Sequence, residues 1–421
     1  MRNKINSTSI YVDGAVFLAL VLLSGALLLS IIEPYFTHPA FLWAVTAAMA
    51  SVLSFSMMNL GYWVWLRAFA SAENKVMFAM NDPENPSLRY QRHHYLGYCL
   101  RPNYRNGPNA HNSLGYRGGE LAAKSEKVYR IACLGGSTTY NYGIEDWRDT
   151  YPNQLERILR ERGYAVEVVN AGGPGWSSHE SLINFHFRLL DIQPDLIIVK
   201  HAINDILTRM VPPGRHFADN RGARVSPDIL TEVHWMDFFP WLRALRVKSG
   251  YRPPHTIFAA SPRYAEASLY DAFIAFHQNG RSHAPGAPAT DFAEIFKVNE
   301  PTFVERNFRS IIAIAKDNDV KVMLTSFPFT KAFAADPFTA SPEFQDAYKQ
   351  HNDMICRLAE QKQVLFSDLN GGVPDDNRYW SDGYHATVDG ARKFAEVLAD
   401  DLERSGLLAG YQRANFLPTS P

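Results

Sequence analysis

Nucleophilic catalysis needs an activated side chain, a base and a group that orients the base, and this 421-residue sequence contains a candidate set. Ser137 follows the apolar run that ends in Gly135-Gly136, and Asp382 precedes His385 by three positions. Such a carboxylate can orient the imidazole through one ring nitrogen, while the other nitrogen takes the serine proton. Taken singly, each residue has a structural explanation: a helix cap or phosphate-holding loop for Ser137, a turn for Asp382 and a polar helix start for His385.

Two further turns contain groups that can stabilise a developing negative charge. Residues 170–176 read NAGGPGW, and glycines let backbone N–H groups approach a ligand closely. Asn204 follows a third apolar run and offers a side-chain amide. The structural alternatives are an ordinary tight turn for the glycines and a helix cap for Asn204 or Asp205.

All of these turns follow apolar runs that alternate with segments of helical spacing. The predicted strands are 128–136, 166–173, 195–205, 320–329 and 364–369. The predicted helices are 151–162, 181–190, 344–361 and 388–405. This alternation predicts a three-layer α/β/α sandwich around a mostly parallel five-stranded sheet. In open sheets of this kind, ligands bind beyond the carboxyl ends of the strands, where the polar turns occur.

In this chain order the four turns resemble the blocks of the SGNH (GDSL-type) hydrolases, over about residues 128 to 405. The resemblance implies the SGNH, flavodoxin-like form of the sandwich and a serine esterase that needs no metal or other cofactor. Ser137 would be the nucleophile, His385 the base and Asp382 the residue that orients it. The oxyanion hole would comprise the N–H groups of Ser137 and Gly175 and the side chain of Asn204.

Two positions depart from the pattern of that family. Gly136 stands where an aspartate is usual, and Ala202 stands where a glycine is usual. Neither change touches a reacting group. The sequence therefore predicts an esterase or deacylase acting on an acylated small molecule, glycan or lipid, such as an O-acetylated carbohydrate. An O-acyltransferase on the same scaffold and a non-catalytic assembly or binding subunit are the alternatives.

The N-terminal region predicts a membrane hairpin within residues 1–70. Residues 14–32 and about 40–66 are uncharged and long enough to cross a bilayer, and only EPYFTHP separates them. A signal peptide or a buried core hairpin is the alternative. The flanking basic residues are Arg2, Lys4, Arg67 and Lys75. In an inner-membrane protein with two spans, their positions favour a cytoplasmic main domain. If the second run only lies in the interface, the domain is on the other side of the membrane.

The remaining chain is expected to comprise a linker with short strands or loops (71–127), the hydrolase domain (128–410) and a tail (411–421). A block rich in aromatic residues and proline, about 207–301, interrupts the domain. This insertion is interpreted as a lid or substrate wall, as a packing subdomain, or as a segment on the membrane surface. Its aromatic residues, together with one before it, could stack on a sugar, hold an acyl chain or belong to the core: Trp176, Trp235, Phe238 and Trp241.

Composition argues against other classes of protein. A net charge of -1 gives no electrostatic reason to expect a nucleic-acid partner. Three cysteines (Cys99, Cys133 and Cys356) are too few for a disulfide framework, and Cys133 lies in an apolar run typical of core. No H-E-x-x-H spacing occurs, at His93-His94 or elsewhere, so no metal site is predicted.

Overall fold

The structure is a computed structural model that describes residues 39–69, 89–93, 96–218, 239, 241–242, 245, 268–283 and 289–412. The chain divides into a first unit, Met1–Asp82 with Val233–Pro253, and a second unit, Pro83–Glu232 with Pro254–Pro421. The predicted span 14–32, Trp235, Phe238 and the tail beyond residue 412 lie outside the described residues. The hairpin as a whole therefore stays a prediction.

In the first unit, a single long helix occupies the second predicted span. Helix α1 (Pro39–Ala68) has 30 residues. Its segment Trp43–Tyr62 has a mean hydropathy of 1.4, and none of that segment is buried. Twenty helical residues extend about 30 Å, the thickness of a bilayer's hydrocarbon core. Among the described residues, this is one helix long and apolar enough to cross a membrane.

Two small antiparallel hairpins open the second unit, where short strands or loops were predicted. They are formed by β1 (Tyr90–His93) with β2 (Gly97–Leu100), and by β3 (Arg105–Asn106) with β4 (Asn109–Ala110). We call residues 89–127 the lead-in segment.

The main sheet has the five strands that the apolar runs predicted. They are β5 (Tyr129–Gly135), β6 (Val166–Gly172), β7 (Leu196–Lys200), β8 (Lys321–Thr325) and β9 (Leu365–Ser367). Their order is β6-β5-β7-β8-β9, and each neighbouring pair is parallel. This is the flavodoxin-like order. Every residue of β5, β6 and β7 is buried, which explains why these strands are mostly apolar runs.

Helices cover both faces of this sheet, as predicted. In chain order they are α2 (Ser137–Tyr140), α3 (Tyr151–Glu161), α4 (Ser178–Asn184), α5 (Ile203–Leu207), α6 (Tyr270–Gln278), α7 (Phe292–Val298), α8 (Thr302–Asp317), α9 (Pro337–Ala340), α10 (Pro342–Lys362), α11 (Leu369–Gly372) and α12 (Val388–Arg404). Alternate residues of β5 point to opposite faces. Ile131 and Cys133 join a core with α3 and α12, whereas Ala132 and Leu134 join a core with α8 and α10.

Two predicted elements differ in detail from the structure. The helix predicted over 181–190 begins earlier, at Ser178, and changes to a π-helical turn over Phe185–Leu189. The third predicted strand ends at Lys200, and Ile203 already begins α5. The polar end of that run is therefore a turn and a short helix rather than strand.

The described parts of the 207–301 insertion show packing roles. Phe273 of α6 and Phe292 of α7 are buried in one cluster with Phe344 and Tyr348 of α10. In the first unit, the backbone N–H of Trp241 donates to the Asn59 side chain at 3.1 Å. These contacts favour the packing interpretation for the described parts.

Candidate active site

Ser137 is the first residue of α2 and follows strand β5 and Gly136, the N-cap of α2. Its hydroxyl oxygen lies 2.8 Å from Nε2 of His385, a residue 248 positions later in the chain. A strand that runs straight into a helix leaves the first helical side chain at the sheet's carboxyl edge. This explains why the serine is only partly buried although both its neighbours are buried.

Asp382 holds both the ring and the backbone of His385. One of its oxygens lies 2.7 Å from the imidazole Nδ1. Its other oxygen accepts the backbone N–H groups of Tyr384 at 2.9 Å and His385 at 2.7 Å. Burial opposes ionisation of this carboxyl, but its hydrogen bonds outweigh burial and hold its pKa below the usual value. The carboxylate is thus ionised and can stabilise an imidazolium.

A second carboxylate, Asp336, supports the same loop, and no sequence pattern pointed to it. Asp336 accepts the backbone N–H of Gly383 at 3.2 Å and that of Phe338 at 2.9 Å. A Cβ on Gly383 would collide with Thr339 and with Asp336 itself. Burial raises the pKa of Asp336, and the nearby charge of Asp382 adds to this rise. Asp336 therefore fixes the backbone between Asp382 and His385.

The second and third predicted turns meet beside Gly136. Asn204 donates its side-chain amide to the carbonyl oxygen of Trp176 at 2.8 Å. A Cβ on Gly136 would lie 2.8 Å from that same oxygen and 2.9 Å from the Asn204 amide nitrogen. Gly175 has a φ of 82°, in the left-handed region that favours glycine. The structure thus brings the turns of Ser137, Gly175 and Asn204 together.

Asp205 and Asn204 do not cap their own helix, so that alternative interpretation is wrong. Ala202 occupies the cap position of α5. Asp205 instead accepts the backbone N–H of Ser178 at 3.0 Å and the Ser178 hydroxyl at 2.5 Å, which fixes the start of α4. Asn204 and Asp205 together therefore join the turn after β7 to the turn after β6.

The lead-in segment supports the turn that contains Gly175. The Tyr98 hydroxyl donates to the carbonyl oxygen of Pro174 at 2.5 Å, next to Gly175. Trp176 is only 2% exposed and packs with Leu96 and Tyr98. Of the three interpretations of Trp176, the structure favours core over a surface that stacks on a sugar or holds an acyl chain.

Arg117 of the lead-in segment holds the loop that follows the nucleophile helix. Its buried guanidinium donates to backbone carbonyl oxygens of Tyr140, Asn141, Ile144 and Glu145. The same group lies 4.3 Å from the centre of the Tyr140 ring.

Among the described residues, no group of three or more His, Cys, Asp or Glu side chains is placed to hold a metal ion.

Residues 133–393 match the model of the GDSL-like Lipase/Acylhydrolase family. The chain belongs to this family. It is therefore a hydrolase of ester bonds, and the resemblance seen in the sequence is confirmed. No curated protein matches this GDSL-like hydrolase.

Several solved structures are similar to the GDSL-like hydrolase. A GDSL-like lipase from Bacteroides thetaiotaomicron has 17% identity and a TM-score of 0.35, covering 68% of this chain and 93% of that one. A lipase/acylhydrolase from Enterococcus faecalis has 14% identity and a TM-score of 0.37, with coverage of 66% and 96%. An acetylxylan esterase from Geobacillus stearothermophilus has 13% identity and a TM-score of 0.37, with coverage of 65% and 94%.

Proposed function

We propose that this GDSL-like hydrolase is a serine esterase or deacylase in which Ser137, His385 and Asp382 form the catalytic triad. The observation that carries the proposal is that the two ring nitrogens of His385 contact the other two residues. One ring nitrogen lies 2.8 Å from the Ser137 hydroxyl and the other lies 2.7 Å from the Asp382 carboxylate. Both distances fall within the range of hydrogen bonds that transfer or orient a proton.

The reaction follows from these contacts. The Ser137 oxygen attacks the ester carbonyl carbon while its proton passes to Nε2 of His385, and Asp382 stabilises the resulting imidazolium. Collapse of the tetrahedral intermediate breaks the bond to the alcohol oxygen, which receives the proton from His385. Water then attacks the acyl-serine, again with His385 as base, and releases the carboxylic acid and free Ser137.

The negative charge on the tetrahedral intermediate requires donors near Ser137. We assign this role to the backbone N–H groups of Ser137 and Gly175 and to the Asn204 amide. The Asn204 amide has two N–H bonds, and the bond to the Trp176 oxygen uses one of them. Its nitrogen lies beside Gly136, which supports its placement in the oxyanion hole.

We propose further that the substrate is an acylated small molecule, glycan or lipid, and that the enzyme acts at a membrane. Support for the membrane comes from α1, whose segment Trp43–Tyr62 is unburied and apolar. The basic residues that flank the predicted spans favour a cytoplasmic position for the second unit.

The triad is tested with a fluorophosphonate probe, which reacts covalently with activated serines. We expect the detergent-solubilised enzyme to be labelled, Ser137→Ala to be unlabelled, and Asp382→Asn to be labelled at least about a hundredfold more slowly. Ser310→Ala is the matched control, because its exposed hydroxyl donates only to a helix carbonyl. Labelling that survives in Ser137→Ala, or its absence in the folded wild type, contradicts the proposal.

A further inference from the structure

Lys200 places a charged group in the interior beneath the nucleophile turn. It is the last residue of β7 and pairs in register with Gly135. Lys200 is 1% exposed, and its amino group donates to the carbonyl oxygen of Thr138 at 3.0 Å. The ring centres of Tyr151 and Phe394 lie 4.4 Å and 4.6 Å from the same nitrogen. The ammonium thus has one carbonyl and two aromatic faces as its neighbours.

No negative charge compensates for this ammonium among the described residues. Its titratable neighbours are Cys133 on β5, Tyr151 on α3 and His201, which directly follows β7. Burial raises the pKa of Cys133 to about 12 and that of Tyr151 well above its usual value, and it lowers the pKa of His201 to about 3. All three are therefore neutral near pH 7. Burial also lowers the pKa of Lys200 to about 7.

An uncompensated ammonium makes folding less favourable, whereas a methionine of similar length would fill the same space without a charge. Packing alone therefore does not explain a lysine here. Its contacts connect three parts of the proposed triad's framework. Thr138 directly follows Ser137, Tyr151 begins α3, and Phe394 lies on α12, which begins three residues after His385.

We propose that Lys200 is a positioning residue for Ser137, acting through the Thr138 carbonyl. Its ammonium holds the first turn of α2 in the orientation that directs the serine hydroxyl towards His385. Its positive charge lies in a weakly screening interior next to the turn whose N–H groups we assign to the oxyanion hole, so it favours the charged intermediate. This inference rests on the proposed function.

The test replaces Lys200 by methionine in the full-length enzyme and uses p-nitrophenyl acetate. We expect kcat to fall about tenfold to a hundredfold with KM within about twofold, since Lys200 is buried and therefore has no surface for contact with a substrate. The unfolding temperature should rise, because a buried charge is removed. A residue that merely packs would give the opposite change in stability. Ile198→Val, a buried change on the same strand, is the matched control and should keep kcat.

The pH profile provides a readout that is independent of the variant's yield. In the wild type, the rate should fall above about pH 7, as Lys200 loses its proton. Lys200→Met should lack the falling limb. A wild-type profile without that limb overturns the inference even if the variant does not fold. So does a folded Lys200→Met enzyme with unchanged kcat.

Failure of the proposed function gives a different result. In that case the wild type is not labelled by fluorophosphonate at Ser137. If instead Ser137 is labelled, and Lys200→Met has the same labelling rate and pH dependence as the wild type, the triad stands. Only the role of Lys200 is then excluded.

Discussion

Gly136, next to the proposed nucleophile, has no space for a side chain. A Cβ there would lie 2.8 Å from the Trp176 carbonyl oxygen and 2.9 Å from the Asn204 amide nitrogen. An aspartate, the residue usual at this position of the resembled family, would displace one of these groups. We expect Gly136→Asp to lower kcat/KM on p-nitrophenyl acetate by about a hundredfold, the effect of losing an oxyanion donor.

The control is Gly410→Asp, since a Cβ at Gly410 meets nothing within 4 Å. It should leave kcat/KM within about twofold. A Gly136→Asp enzyme as active as this control would show that the turn adapts to a side chain. The position of the Asn204 amide would then not depend on the absence of a side chain at Gly136.

At the scale of single residues, the sequence predicted the side chains that belong to a family pattern. It did not predict the side chains that hold them in place. Ser137, Asp382 and His385 were predicted because their blocks occur in a known order. Asp336 and Lys200 stand outside such blocks. Their partners are 47 and 62 positions away in the chain, so only folding brings them to the site.

Between elements, Arg117 connects the lead-in segment to the loop after α2. Its guanidinium donates to four buried or partly buried carbonyl groups, at Tyr140, Asn141, Ile144 and Glu145. A lysine has one ammonium and cannot reach all of them. We expect Arg117→Lys to lower the free energy of unfolding by about 2–4 kcal/mol, because carbonyl groups lose their partners. Urea unfolding followed by tryptophan fluorescence measures this change.

Arg148→Lys is the matched control for that substitution. The Arg148 side chain is 61% exposed and pairs with Asp146 at the surface. Exposed ion pairs contribute little to the free energy of unfolding, so this variant should keep the wild-type value within about 0.5 kcal/mol. Equal urea midpoints for the two variants would mean that the lead-in segment does not stabilise the loop.

Elements differ in how far the sequence predicts them. The five strands were predicted because buried parallel strands are mostly apolar runs with glycine or polar residues at their ends. The lead-in segment was predicted only as short strands or loops before the domain. Its role depends on single long-range contacts, such as that of Tyr98 with Pro174, 76 positions later. Spacing and hydrophobic pattern contain no information about contacts of this kind.

At the scale of the whole molecule, four histidines among the described residues make stability depend on pH. Burial lowers the pKa values of His111, His201 and His351 from 6.5 to about 3 and that of His216 to about 4. Between these values the unfolded chain binds protons that the folded chain does not. The free energy of unfolding therefore falls as the pH drops from 6.5 towards 3, by up to about 1.4 kcal/mol per pH unit for each histidine.

Urea unfolding at about pH 7 and about pH 5 measures this dependence. We expect His351→Gln to reduce the difference in the free energy of unfolding between the two pH values by about a quarter, since one of four such histidines is removed. His186→Gln, at an exposed position, should leave the difference unchanged. A wild type that is equally stable at both pH values would contradict burial of these histidines in their neutral form.

The proposed attachment to a membrane makes a prediction about α1 itself. Leu53 and Met57 lie near the middle of the apolar segment and are 39% and 64% exposed. A charge at the centre of a membrane-spanning helix costs about 3 kcal/mol, so Leu53→Lys with Met57→Lys should release the protein from the bilayer. Both changes are made in a chain that starts after residue 38, so that α1 alone is tested. Carbonate extraction should leave the parent chain in the membrane pellet and the double variant in the supernatant.

The control is Leu114→Lys with Phe187→Lys, at exposed apolar residues of the second unit, and it should not release the protein. A parent chain that is itself extracted would exclude α1 as an anchor, and equal extraction of both double variants would show that added charge alone is responsible.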